Sequence, residues 1–254
     1  IEGSINKGVD KKIANDLFDQ MVLFAEYCFN KSHSTAYGAV TYQTAFLKAH
    51  FPVAYMASLL SVNSGSTDKM QRYISNCYAI GIEVISPSIN LSGYDFTIKG
   101  NQILFGLSAI KNLGDSAIRN IIDNRKEFGP FQSLANLCDR LPVNILNKRN
   151  LESLIHCGAL DEFSINKNRA QLLADLEAVT EWAVARNRDR LSGQGNLFDS
   201  GNESDSLDLI LDKRNKVEDY TLIDKLRLEK QLLGFYLSDH PLKHLSKPAK
   251  LISP

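Results

Sequence analysis

The sequence predicts a mainly α protein with a small β-hairpin and a few short strands. Apolar residues recur at helical spacing along most of the chain, and the period changes to that of strands only between about residues 82 and 105. Hydrophobic residues make up 44% and charged residues 23% of the 254 residues, which is ordinary for a globular protein. This length suits one large domain or two to three small ones.

Four helices are predicted before residue 82. They are expected at residues 10–27, 35–50, 52–62 and 67–81. Asp10 and Thr67 each stand at the start of a helical pattern, where their side chains suit an N-cap. Pro52 suits the first turn of the third helix, and Gly81 suits the end of the fourth. The polar residues 30–34 interrupt the apolar pattern between the first two helices.

Strand signals follow. Residues 82–85 predict a short strand closed by Pro87, and residues 94–98 and 102–105 flank a Lys-Gly-Asn turn that indicates a hairpin. Short helices with tight turns are expected from Gly106 to about Phe163.

A longer helix is expected at residues 167–191 and a last one at residues 220–236. The buried side of the longer helix is predicted to carry Leu172, Leu173, Leu176, Val179, Trp182 and Ala183. Residues 192–218 are rich in Gly, Ser, Asn and Asp and have no strong helical face, which is typical of a linker or flexible loop.

Charge is unevenly distributed although the formal total is zero, with 29 basic and 29 acidic residues. Residues 99–150 contain eight Lys and Arg against four Asp and Glu, whereas residues 192–218 contain six acidic and three basic residues. The sequence is therefore neither a uniformly basic nucleic-acid-binding protein nor a disordered acidic one. It indicates a basic module followed by an acidic tether.

The segment AIKNLGDSAI at residues 109–118 is similar to a helix-hairpin-helix. In that device, backbone N–H groups of the turn and of the next helix face a DNA phosphate without reading base sequence. The usual turn has two glycines as G-x-G; after Gly114, Ser116 takes the second place. A related half-turn at residues 155–160 suggests a doubled module. The DNA-binding candidates are Lys111, Asn112, Leu113, Gly114, Asp115, Ser116, Arg119 and Gly158. The alternative is a capped helix pair within a core.

A second motif, Gln194-Gly195-Asn196-Leu197-Phe198, lies in the predicted linker. Leu197 and Phe198 would fill a pocket on a partner, and Gln194 would satisfy polar groups at its rim. In the alternative interpretation, the two apolar residues fold back onto their own domain.

A third polar motif precedes the second predicted helix. Lys31, Ser32 and His33, together with the first N–H groups of that helix, have the chemistry to hold a triphosphate. The alternative is a polar capped turn with a buried His33.

The sequence contains no complete catalytic set. It has no G-x-x-x-x-G-K phosphate loop and no G-x-S-x-G elbow, and no two carboxylates are placed to hold two metals. The four cysteines and five histidines are scattered, which favours reduced thiols over a zinc site. No apolar run reaches membrane-spanning length, and no signal peptide follows Ile1. A cytoplasmic location, away from any membrane, and an internal piece of a longer protein are expected.

Several segments of the sequence, taken together, closely resemble the C-family of bacterial replicative DNA polymerases, the alpha subunits of polymerase III. The resemblance rests on FNKSH at 29–33, YQTAFLKAH at 42–50, FGLSAIKN at 105–112, NKRNLESLI at 147–155 and LGFY at 233–236. HPL at 240–242 also fits. The match runs through essentially the whole chain in one order.

This resemblance implies a domain order. Residues 1–94 would be the C-terminal part of the fingers, 95–165 a tandem helix-hairpin-helix, 166–191 a long helix, 192–218 a flexible loop with a clamp-binding peptide, and 219–254 a helix leading towards an absent OB-type domain. Lys31, Ser32 and His33 would contact the incoming nucleotide, and Gln194, Leu197 and Phe198 the sliding clamp.

The family resemblance also implies what the chain lacks. The aspartates that bind Mg²⁺ belong to a palm that precedes this region, so the chain itself would need no cofactor and would be inactive alone. Its expected partners are duplex primer-template DNA, a deoxynucleoside triphosphate, the sliding clamp and the rest of the polymerase III alpha subunit and holoenzyme.

One further string is similar to a junction in the cyanobacterial members of this family. Residues 25–30 resemble the site at which a split intein interrupts those proteins, which would make Tyr27 and Cys28 the splice junction. In the alternative, Cys28 is an unreactive thiol at a helix end.

Two other classes of protein remain as alternatives. One is a non-enzymatic helical scaffold for DNA or protein interactions, in which the hairpin and the Gln194–Phe198 peptide are coincidental. The other is a glycosylase of the helix-hairpin-helix type, which needs a catalytic Asp soon after the hairpin. Asp139 is the available candidate.

Overall fold

The structure is a computed structural model that describes residues 1–26, 30–142, 144–164, 168–192, 216–239 and 241. Its α-helices are α1 (Glu2–Ile5), α2 (Lys11–Glu26), α3 (Lys31–His50), α4 (Pro52–Val62), α5 (Thr67–Ala79), α6 (Asp115–Phe128), α7 (Leu134–Arg140), α8 (Lys148–His156), α9 (Arg169–Ser192) and α10 (Leu222–Leu233). Its strands are β1 (Glu83–Ile85), β2 (Thr97–Lys99) and β3 (Gln102–Leu104). The predicted fold class, mainly α with a small sheet, is confirmed.

The chain divides into two compact units, residues 1–52 and residues 53 onward. The first unit consists of α1, α2 and α3, and among its described residues only Ala14 is buried. Asp10 caps α2 as predicted, because its carboxylate accepts from the backbone N–H groups of Lys12 (2.8 Å) and Ile13 (3.3 Å).

Helix α3 begins four residues earlier than the sequence predicts. The side chain of Asn30 accepts a hydrogen bond from the backbone N–H of Ser32 at 2.9 Å, so Asn30 is the N-cap. The polar residues 31–34 were expected to interrupt the helix and instead form its first turn. A capping residue decides where a helix starts, whatever the polarity of the residues that follow it.

The second unit has one continuous apolar core. Met56 and Leu60 of α4 and Met70 and Ile74 of α5 belong to the same buried cluster as Phe105. Helices α4 and α5 therefore share one core with residues beyond 94.

The small sheet has the strand order β1-β3-β2, with β1 parallel and β2 antiparallel to β3. Lys99 pairs with Gln102, which leaves Gly100 and Asn101 as the turn of the predicted hairpin. Gly100 has φ +61°, a left-handed conformation that glycine adopts without strain. The hairpin predicted from residues 99–101 is confirmed.

Helix α9 contacts α7 and α8, and α8 also contacts α10. The predicted inner face of α9 is confirmed: Leu172, Leu176, Val179 and Ala183 are buried, and Leu173 and Trp182 pack against the core.

Candidate nucleic-acid interface

The hairpin predicted at residues 109–118 lies at the surface of the second unit. A single 3₁₀ turn, Leu107–Ala109, enters it, and α6 leaves it at Asp115. Ile110 and Leu113 are buried, whereas the rest of the turn is exposed. The first arm is thus shorter than the helix that the sequence predicts, because the backbone of Ile110 is already extended. The buried apolar residues hold a polar turn in solvent.

Asn112 takes the first special position of the turn. It has φ +67° and is the one described residue other than glycine with a positive φ. Asparagine tolerates this left-handed conformation better than most side chains do. The G-x-G pattern is therefore met by Asn112-Leu113-Gly114, and the expectation that Ser116 stands in the second glycine place is wrong. Gly114 occupies that place and caps α6.

The end of α6 at Gly114 suits an anion. No side chain caps this end, and a methyl group built on Gly114 would meet no atom within 4 Å. The first N–H groups of the 14-residue helix and its dipole therefore point to an open, positively polarised surface. Lys111 and Arg119, which come before and after Gly114 in sequence, are both exposed.

Asp115 brings a negative charge to the same helix end. The hydroxyl of Tyr94 donates to its carboxylate at 2.5 Å, and the Arg119 guanidinium lies 5.4 Å from the centre of the Tyr94 ring. The hydrogen bond to Asp115, followed by desolvation, raises the pKa of Tyr94. The hydroxyl therefore stays protonated at neutral pH and remains a donor to this carboxylate.

Two neighbouring helices hold the hairpin. The side-chain oxygen Oδ1 of Asn112 accepts from Nη2 of Arg149 at 2.8 Å, and its side-chain nitrogen Nδ2 donates to the Ser153 hydroxyl at 3.4 Å. The backbone N–H of Lys111 donates to the carbonyl of Leu232 at 3.1 Å. Sequence reasoning missed Arg149; its signal was the basic pair beside Asn147, the residue that caps α8.

The second half-turn does not present a glycine to DNA. Gly158 has φ +84° but is buried, and a methyl group there would lie 2.3 Å from Nη2 of Arg169 and 3.1 Å from Oδ2 of Asp161. If Gly158 is the first residue of a G-x-G pattern, the second glycine position falls on Leu160, which is fully buried. The prediction that Gly158 contacts DNA is therefore wrong, because the side chains of Arg169 and Asp161 occupy the space beside this glycine.

A buried charge cluster closes that turn. Arg169 donates from Nε and Nη2 to the two carboxylate oxygens of Asp161, at 2.7 and 2.8 Å. Its Nη1 donates to Glu229 of α10 at 3.0 Å and to the carbonyl of His156 at 3.1 Å. Burial alone would lower the pKa of Arg169, but the hydrogen bond and charge of Asp161, with those of Glu229, outweigh it and raise the pKa. The guanidinium stays charged at every relevant pH.

Not all the basic residues counted at 99–150 face solvent. Arg125 donates to the carbonyls of Ile89 (2.5 Å) and Ser92. Arg140 donates from Nε to Asn124 at 2.7 Å and lies 4.3 Å from the centre of the Phe131 ring. These two arginines fasten loops to α6 and α7, so the formal excess of four positive charges overstates the charge offered to DNA.

The nucleotide-binding candidates lie together in the first unit. Lys31, Ser32 and His33 form the exposed first turn of α3, and the His33 ring lies 4.4 Å from that of Tyr37. The alternative of a buried His33 is wrong. Since Asn30 already accepts from Ser32, that N–H is engaged within the helix cap and does not point to a phosphate.

Five predicted site residues, two at the splice junction and three in the clamp-binding peptide, lie outside the described residues. They are Tyr27, Cys28, Gln194, Leu197 and Phe198.

Asp139, the candidate of the glycosylase alternative, is paired with α9. Its carboxylate lies 3.1 Å from Arg186 and 2.8 Å from Arg190. These two ion pairs join α7 to α9. This position favours a structural role over that of a catalytic base.

Within the described ranges, no helix is long and apolar enough to cross a membrane, and no three His, Cys, Asp or Glu side chains are grouped to hold a metal ion. Cys77, Cys138 and Cys157 are buried cysteines that form no disulfide among the described residues. Burial raises the pKa of Cys138 and of Cys157 to about 12. These two thiols are therefore protonated and unreactive at neutral pH.

The turn at Asn112–Gly114 and the helix that follows it define a helix-hairpin-helix module. The family model described as "Helix-hairpin-helix motif" matches residues 81–172, which span β1 to the start of α9.

The relatives found by sequence are more specific. The chain is 45% identical over 242 residues to the DNA polymerase III subunit alpha of Thermus aquaticus, covering 95% of this chain and 19% of the relative. It is 43% identical over 246 residues to the same subunit of Deinococcus radiodurans, covering 96% of this chain and 18% of the relative. It is 37% identical over 254 residues to that of Bacillus subtilis, covering 97% of this chain and 21% of the relative. The chain is therefore homologous to a segment of DNA polymerase III alpha subunits and spans about a fifth of the length of these relatives.

Proposed function

We propose that this chain is a part of a replicative DNA polymerase that holds duplex DNA by its phosphate backbone, without reading sequence. The observation that supports this most is the open end of α6, where Asn112 and Gly114 form an exposed turn beside Lys111 and Arg119. Backbone N–H groups at a helix start bind phosphate oxygens. Such contacts position a protein on DNA and contain no information about base sequence.

The salt dependence of DNA binding tests this function. The full chain should bind two unrelated duplexes with equal affinity, and log K should fall linearly with log salt concentration. Lys111→Gln and Arg119→Gln should each weaken binding and reduce the slope by about one, because each removes one phosphate contact. Fluorescence anisotropy with labelled duplexes measures both quantities.

Lys69→Gln is the matched control, since Lys69 is an exposed lysine on α5, outside the hairpin. Absence of binding at low salt, or a slope unaffected by Lys111→Gln and Arg119→Gln, would contradict the proposal. Binding restricted to one of the two sequences would contradict its sequence-neutral part.

The polymerase activity belongs, in this proposal, to the longer subunit. The whole enzyme would add deoxynucleotides to a primer in the cytoplasm, with Mg²⁺ held by aspartates that this chain does not supply. Lys31 and His33 would help to hold the incoming triphosphate, supported by their exposure at the start of the 20-residue helix α3. The chain alone should incorporate no nucleotide. Incorporation that is lost when one of the chain's own carboxylates is changed would contradict the proposal that catalysis belongs to the longer subunit.

We also propose that Gln194, Leu197 and Phe198 bind the sliding clamp. The support is the sequence, in which two adjacent apolar residues follow an amide within a polar, acidic segment. Leu197→Ala with Phe198→Ala should weaken clamp binding at least tenfold, since a few apolar anchors supply most of the energy of a small interface. Calorimetric titration of the full chain measures the affinity.

Leu209→Ala provides the control, because it removes an apolar residue from the same segment outside the motif. DNA binding should be unchanged in all these variants. If the variant with both Leu197→Ala and Phe198→Ala bound the clamp as tightly as the unaltered chain, the proposed clamp-binding role of this segment would be wrong.

A further inference from the structure

The hairpin has an unusual backbone at Asn112. Its φ of +67° places a residue with a side chain where the usual turn has glycine. Left-handed backbone is less favourable for asparagine than for glycine, although asparagine tolerates it better than most residues do. The turn therefore needs a restraint that a glycine turn would not need.

The restraint comes from α8. Both ends of the Asn112 side chain are engaged there, the oxygen by Arg149 (2.8 Å) and the nitrogen by the Ser153 hydroxyl (3.4 Å). Ser153 is buried, so its position is fixed by the core, whereas Arg149 is exposed at the first turn of α8. The hydrogen bond from Arg149 is charge-assisted and is the stronger of the two.

We propose that Arg149 is a positioning residue that holds Asn112 in the left-handed conformation and so keeps the hairpin in its phosphate-binding form. Arg149 acts through Asn112 and not as a charge that contacts DNA. This inference rests on the proposed DNA-binding function. It differs from that function in assigning a role to a bond between two side chains, Asn112 and Arg149.

Charge-conserving variants separate the two roles. Arg149→Lys keeps the positive charge but loses the planar group that meets Asn112. It should weaken DNA binding severalfold with an unchanged salt slope, because no charge is removed. In chains that also carry Asn112→Gly, the same Arg149→Lys change should have no effect, because glycine adopts the turn unaided. Arg72→Lys on α5 is the matched control and should be neutral.

Asn112→Ala completes the series. It removes both hydrogen bonds and keeps the unfavourable backbone, so affinity should fall roughly tenfold. Asn112→Gly should stay within about threefold of the unaltered chain. If Asn112→Ala fails to fold, the comparison of Arg149→Lys with and without Asn112→Gly still decides the question.

Amide hydrogen exchange gives a readout that needs no DNA. Arg149→Lys should speed exchange at Lys111 and Leu113, whose N–H groups bond to Leu232 and Ile110, but not when Asn112 is glycine. Equal effects of Arg149→Lys in both backgrounds, or none in either, would overturn the inference. A chain that binds no DNA at low salt would instead refute the proposed function, and the exchange rates would still decide the role of Arg149.

Discussion

Replacing Arg169 with alanine should lower the free energy of unfolding by about 3–5 kcal/mol, because it leaves the buried carboxylate of Glu229 and the partly buried one of Asp161 without their partner. The Arg169 and Glu229 side chains are only 5% and 1% exposed, and Asp161 is 17% exposed. Glu229 would keep its hydrogen bonds from the backbone N–H and the hydroxyl of Ser238, but its bond from the guanidinium would be lost. Urea denaturation of the full chain at neutral pH measures the change.

Two further variants show whether charge is the cause. Arg188→Ala, at an exposed position of the same helix, should change stability by no more than about 0.5 kcal/mol. Arg169→Met combined with Asp161→Asn and Glu229→Gln should regain much of the loss, because it removes the whole set of charges together. A loss below about 1 kcal/mol for Arg169→Ala would mean that water reaches these carboxylates and that the cluster contributes little.

Gly158→Ala should destabilise the chain by roughly 2–4 kcal/mol, the sum of a left-handed backbone and an overlap with the Arg169 guanidinium. The φ is +84°, and the added methyl group would lie 2.3 Å from Nη2 of Arg169. The same urea titration gives the value. If Gly158 instead served as a phosphate contact, the substitution would leave the unfolding midpoint unchanged and reduce DNA affinity.

Gly114→Ala is the matched control, and it should show the reverse pattern. At φ −80° with open space around it, the methyl group should cost no more than about 1 kcal/mol of stability, the usual effect of alanine at an N-cap. It would, however, occupy the space through which a phosphate approaches the start of α6, so DNA affinity should fall severalfold. The two glycines thus separate a binding turn from a structural one.

Much of the fold follows from patterns local in sequence. The inner face of α9 was predicted correctly because its apolar residues recur with the helical period, and the β-hairpin because Gly100 and Asn101 are turn residues. The start of α3 was missed although Asn30 is a good capping residue, because the polar run after it suggested a break.

The site was less predictable, since its geometry depends on residues distant in sequence. Because residues 155–160 resemble the turn at residues 109–118, the sequence predicts the same DNA-binding role for Gly158 as for Gly114. The difference between them is set by Arg169 and Glu229, which meet across 60 residues of chain. Similarly, nothing local shows that Asn112 takes the glycine position; that depends on Arg149 and Ser153 of α8.

The attachment of this module to α10 has a consequence for dissecting the polypeptide. The recognised motif ends at residue 172, but the N–H of Lys111 bonds to Leu232, and Arg169 bonds to Glu229. A truncation at residue 172 would strip a buried cation of one counterion and uncover apolar surface at the base of the turn. We therefore expect the minimal autonomous folding unit to extend through α10.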